Sequence, residues 1–211
     1  VEKPLADYPA PDGVDLEVGG TVEDQGDAFG DLGTLLILIV ILVYIVMATQ
    51  FESLKFPFII MFTIPFAFTG VFLALWMTST PLSLIALIGA IMLVGIVTKN
   101  GIVMVDYMNL LVERGSGVFD AVIAGGKSRL RPVLMTSFTT ILGMLPLAIG
   151  TGAGSETWQP MGIAVIGGLT FSTILTLFIV PVLYSILVNR SQRKEREKLA
   201  RLSAEHQASK H

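Results

Sequence analysis

Residues 83–106 read SLIALIGAIMLVGIVTKNGIVMVD, with only two charged side chains, Lys99 and Asp106. A helix rises 1.5 Å per residue, so about 20 apolar residues cross the roughly 30 Å hydrocarbon layer of a bilayer. This stretch is long enough to cross, and in lipid every backbone polar group must be satisfied inside the segment, which leaves the helix as its form. Four further runs of the same kind occupy 32–49, 57–77, 133–150 and 160–189, each bounded by charges, prolines or glycines. A composition of 53% hydrophobic and 15% charged residues agrees, as does a mean hydropathy of +0.73, and excludes an ordinary soluble domain. The predicted fold is an all-α membrane protein, a polytopic bundle of five transmembrane helices.

The flanks differ in charge. Residues 1–31 hold nine acidic side chains against one base, Lys3, and residues 190–211 hold seven bases against three acids. Within the acidic segment, GVDLEVGGTVE alternates Val14, Leu16 and Val18 with Asp15 and Glu17, the period of a half-buried strand. A lone strand is not stable, so a short extracytoplasmic β-strand segment is predicted, with residues 1–31 closing a larger external domain. Residues 32–189 are the predicted five-helix bundle and 190–211 a basic, disordered cytoplasmic tail near the lipid surface. Outside the membrane, Lys and Arg number one, one, none, four, none and seven along successive segments. The positive-inside rule puts the first and third loops and the C-terminus in the cytoplasm and the N-terminus outside. In the third loop, Val118, Phe119, Val122 and Ile123 recur at helical spacing, either an ordinary connecting helix or an amphipathic one on the membrane face. The opening VEKPLADYPAPDG lacks the pattern of a signal peptide, so an export signal lies elsewhere or the chain is a fragment.

A charge at the centre of a membrane helix costs about 2.5–3.5 kcal/mol on insertion scales, so Lys99 calls for a partner, a water-filled cavity or a function. Asp106 lies seven residues on, on nearly the same face but about 10 Å along the axis, too far to pair. It is placed either in solvent near the cytoplasmic end or in the same functional group as Lys99. No facing carboxylate occurs on the other spans. The fourth span opens RLRPVLMTSFTT, with Arg129 and Arg131 as interfacial anchors; Thr136 and Thr140 share a face, where hydroxyls bond the carbonyl one turn back or line a polar seam. GTGAGS at 150–155 lacks the Gly-Lys-Ser/Thr continuation of a phosphate loop. Ala164 and Gly168 form a small-xxx-small pair suited to close helix packing. Pro57, Pro65, Pro146 and Pro181 imply kinks or helix ends. The sequence has no cysteine, and its two histidines, His206 and His211, lie in the tail, so no metal site, cofactor or membrane histidine chemistry is expected. An intramembrane hydrolase, needing facing aspartates or a serine with a base, is not supported, and no enzyme activity or nucleic-acid partner is expected.

Three motifs, MATQFESLKFPFIIMFTIPFAFTG, GIVTKNGIVMVDY and GGKSRLRPVLMTSFTTILGMLPLAIGTGAGSE, together resemble the C-terminal membrane half of the resistance-nodulation-division (RND) superfamily, in particular its hydrophobe and amphiphile multidrug efflux pumps. The resemblance covers about residues 12–190. It implies a proton-driven antiporter in the inner membrane, a homotrimer when complete, with twelve spans per protomer and two large external loops. A periplasmic adaptor and an outer-membrane channel are the implied partners. This chain resembles spans eight to twelve. By motif position, Lys99 matches the lysine that faces an aspartate pair on the fourth span, Asn100 follows it, and Thr136 and Arg129 complete the relay, with Asp106 nearby. The aspartates would belong to the remaining half of the transporter. The alternative is a truncated, non-transporting membrane scaffold or partner protein.

Overall fold

The computed structural model describes residues 21–150, 152 and 154–208, with side-chain surroundings for those between 24 and 190. Six helices follow in order: α1 (Thr21–Gln50), α2 (Lys55–Met61), α3 (Ile64–Met77), α4 (Leu84–Glu113), α5 (Val118–Ile149) and α6 (Ser155–Ala208). Five stretches are long and apolar enough to cross a membrane, with α2 and α3 together making the second. The break between α2 and α3 lies just before Pro65, whose ring nitrogen cannot donate back to the carbonyl four residues earlier. Thr63 at that break donates its hydroxyl to the Ile60 carbonyl at 2.6 Å.

Three expectations need correction. No strand occurs among the described residues, and Thr21, Val22 and Glu23, the end of the alternating pattern, form the first turn of α1; its earlier part, 13–20, lies outside the described residues. α1 therefore begins well before residue 32. Asp24, Asp27 and Asp31 lie on α1 with exposed side chains, where a carboxylate needs no partner, so their acidity is compatible with helix. The third loop is reduced to residues 114–117: the helical spacing at 118–123 is the start of α5 itself, which continues through Pro132. The C-terminal segment likewise continues α6 as helix to Ala208.

The bundle has an upper end, formed by the 78–83 connection and the end of α5 at Gly150, and a lower end, where α1 and α4 finish. α6 is the central post, packed against α3, α4 and α5. It runs parallel to α4, since Gly89 abuts Met161 near the top and the Tyr184 hydroxyl donates to Asn109 Oδ1 at 2.7 Å near the bottom. It runs antiparallel to α5, where Gly162 meets the Ala148 backbone and Ser137 meets Thr173. Gly150, at φ 68°, ends α5 in the left-handed conformation that glycine adopts without a Cβ penalty. Ser155 then donates its hydroxyl to the Gly150 carbonyl at 2.8 Å. Gly150 and Ser155 thus join the end of α5 to the start of α6.

Close approach governs the α3–α6 crossing. A Cβ on Gly70 would stand 2.6 Å from Phe171 Cβ and 2.8 Å from the Gly167 carbonyl oxygen. Without a hydrophobic force between helices in lipid, small residues that let backbones touch supply the packing. Ala164 and Gly168 are both buried on the same side of α6, and Gly168 fits against Leu93, Val71 and Ala67.

Two apolar cores result. The upper one gathers Val71, Leu75, Ala90, Leu93, Ala164 and Leu169; the lower one gathers Met47, Ile60, Met104, Met108, Val180 and Tyr184. Between them lies a layer of buried hydroxyls: Thr63, Thr98, Ser137, Ser172, Thr173 and Thr176. Burying a hydroxyl is costly unless it is hydrogen-bonded, yet Ser172 Oγ and Thr176 Oγ1 are buried without a hydrogen-bond partner among the described residues. Thr98 donates to the Val94 carbonyl at 2.6 Å, and Ser137 and Thr173 bond each other across α5 and α6 at 2.9 Å.

In the lower core the Tyr184 ring stacks on Phe56 at 5.8 Å. Tyr184→Phe keeps that stack and removes only the bond to Asn109, so it is expected to cost about 0.5–1.5 kcal/mol, the net worth of an ordinary hydrogen bond. Thermal unfolding of the detergent-solubilised protein measures it; a loss several times larger would show that the hydroxyl does more than join α4 to α6.

Candidate functional site

The site grows from α4. Its residues Leu93, Val97, Gly101, Met104 and Met108 are buried against the bundle, which fixes the helix's rotation. The opposite stripe, Met92, Gly95, Lys99, Asp106 and Leu110, is exposed. Lys99 thus stands near the middle of a membrane-length helix, at the depth of the hydroxyl layer and one residue from Thr98, yet points away from the packed side. Asn100 beside it is half-buried.

Helix α5 runs antiparallel along α4, with Gly125 set against Met108. That register brings Thr136 to the depth of Lys99. Thr136 is exposed and donates its hydroxyl to the Val133 carbonyl at 2.9 Å; Thr140 donates to the Thr136 carbonyl at 2.9 Å. The back-bonded arrangement is therefore the one present. Two turns lower, Arg129 is half-buried and its guanidinium Cζ sits 4.6 Å from the centroid of the Tyr107 ring on α4. Its Nε is buried without a hydrogen-bond partner among the described residues.

Asp106 lies apart from that contact. It lines an open cavity of about 290 Å³ at the lower end with Gln50, Glu52, Asn109 and Glu113 among its neighbours. Three carboxylates around one water-accessible hollow make this an acidic mouth. Among the described residues, no hydrogen bond or ion pair joins any two of Lys99, Asn100, Asp106, Arg129 and Thr136. Lys99 and Thr136 lie at one depth, with Arg129 below them over Tyr107, and Asp106 beside the lower end of α1. Sequence reasoning did not single out Tyr107, or Glu52 and Glu113 beside Asp106. The cue for Tyr107 was its adjacency to Asp106, but its pairing with Arg129 depends on helix register.

A family model described as the AcrB/AcrD/AcrF family matches residues 2–188. The chain belongs to this family of RND efflux transporters. Among its RND relatives, the swarming motility protein SwrC of Bacillus subtilis is 37% identical over 92% of the chain and 18% of SwrC. The cobalt-zinc-cadmium resistance protein CzcA of Cupriavidus metallidurans is 38% identical over 88% of the chain and 17% of CzcA. The multidrug resistance protein MdtC of Erwinia tasmaniensis is 43% identical over 77% of the chain and 16% of MdtC. A crystal structure of a heavy metal efflux pump superposes with a TM-score of 0.76 at 30% identity, covering 89% of this chain and 19% of the pump. The chain thus spans less than a fifth of the length of these RND proteins.

Proposed function

We propose that this chain forms the C-terminal membrane portion of a proton-driven efflux antiporter and carries the cationic side of its proton relay. The observation that carries the proposal is Lys99: a charge at the middle of α4, exposed on the helix face that the chain's own helices leave uncovered. In a bilayer such a lysine is stable only against carboxylates or water. The complementary group is an aspartate pair on the other membrane half. With the pair ionised, Lys99 is held against it. Protonation removes the attraction, and Lys99 turns toward neutral partners at its own depth, Asn100 and Thr136.

A proton moving through 100 mV releases about 2.3 kcal/mol, which drives the cycle in one direction, while protonation of the carboxylates removes the attraction that holds Lys99. The helix movement is passed to an external domain that selects the substrate. In this proposal the chain acts in the inner membrane with its N-terminal side outside and its C-terminus in the cytoplasm, within a homotrimer coupled to a periplasmic adaptor and an outer-membrane channel.

The test is to co-express the chain with the remaining part of the transporter in cells lacking other efflux. Recovery of efflux that collapses when the proton gradient is dissipated is expected. Assembly of the two parts in the membrane without efflux would favour the scaffold alternative and overturn the proposal.

A further inference from the structure

Arg129 on α5 lies against Tyr107 on α4. Both side chains are half-buried, and Arg129 sits on α5 with exposed Lys127, Ser128, Leu130 and Arg131 around it. A long arginine near a membrane boundary extends its head toward water unless something holds it. Here the guanidinium instead lies over the Tyr107 face at 4.6 Å, inside the roughly 6 Å range in which a ring quadrupole attracts a cation. Nε is buried and unbonded, so no hydrogen bond from that atom explains the pose. The Tyr107 hydroxyl makes no hydrogen bond among the described residues either, which leaves the ring face as the functional part of the side chain.

We infer that Tyr107 is a positioning residue: its ring holds the Arg129 guanidinium against α4, below Lys99, so that two cations are presented along the α4–α5 boundary at fixed depths. This rests on the proposed role of Arg129 in the relay. Planarity matters, because a guanidinium stacks on a ring as an ammonium does not. Without the ring the guanidinium is released toward the lower surface and the relay keeps Lys99 alone.

The experiment uses the full-length transporter carrying this sequence, with proton-coupled efflux measured at matched membrane levels for Tyr107→Phe, Tyr107→Leu, Arg129→Ala and the Tyr107→Leu/Arg129→Ala pair. Tyr107→Phe is expected to stay within about twofold of the parent, since phenylalanine offers the same ring face, and Tyr107→Leu to fall about fivefold. The double variant is expected to be no slower than Arg129→Ala, as for two residues that act as a unit. Should Tyr107→Leu not reach the membrane, Tyr107→Met serves as the ringless variant. Full rate in the ringless variant, equal impairment in Tyr107→Phe, or a further loss in the double variant would overturn the inference. Full rate in Arg129→Ala would overturn the relay role of Arg129 and this inference with it. A slow Arg129→Ala beside a normal Tyr107→Leu would remove the inference alone.

Discussion

In the full-length transporter carrying this sequence, Lys99→Ala is expected to abolish proton-coupled efflux while the protein still reaches the membrane. Removing one member of a buried charge pair leaves the other uncompensated, an effect of about 3–5 kcal/mol, which corresponds to a loss of at least about a hundredfold. The residues that seat α4 within this chain, Val97, Gly101 and Met104, are untouched, so its helices should still assemble, while the unpaired carboxylates should lower the stability of the full-length protein. Two measurements separate these effects. Substrate-driven proton flux of the full-length variant in inverted membrane vesicles should vanish, whereas the same substitution in this chain alone, where Lys99 is exposed, should leave the thermal midpoint near that of the parent. Lys99→Arg keeps the charge but replaces a compact ammonium by a planar fork, so it should retain only part of the flux. Parental drug or metal resistance in Lys99→Ala at equal abundance would end the assignment of Lys99 to the relay.

The second large effect is on stability, away from any charge. Gly70→Val should destabilise the bundle by about 1–3 kcal/mol or more, because the added atoms meet backbone and a Cβ, neither of which can swing aside. The neighbours are Phe171 Cβ at 2.6 Å and the Gly167 oxygen at 2.8 Å, so α3 and α6 must separate. Gly143→Val is the control. A Cβ there meets nothing within 4 Å, and the change should leave the thermal midpoint close to the parent's. Equal melting of the two variants in detergent would show that the α3–α6 contact does not hold the bundle.

The membrane bundle was legible in sequence because lipid imposes one rule on every span, and runs such as 83–106 satisfy it visibly. The flanks were harder. Asp24, Asp27 and Asp31 suggested an external segment, but exposed positions of a helix accommodate the same residues. Pro132 and the bases around it suggested a boundary, yet α5 runs through them. Lys99 could be recognised alone, because a charge in oil is costly wherever its partner lies. Tyr107 could not: an aromatic residue in an apolar span reads as packing until the register of α4 against α5 brings Arg129 over its ring. Gly70 posed the same difficulty. Ala164 and Gly168 advertise a small face on α6, but which helix lies against it is a property of the assembled bundle.

The hydroxyl layer between the two cores has a mechanical consequence. Each core is tightly interlocked, and disturbing such packing costs several kcal/mol, whereas hydrogen bonds between membrane hydroxyls are worth about 0.6 kcal/mol and are readily exchanged. The interruption between α2 and α3 at Phe62 and Thr63 falls at the same height. Three helices, α4, α5 and α6, run unbroken through this level, so the two packed blocks stay joined by continuous backbone while the contacts between helices are softest at the height of Lys99.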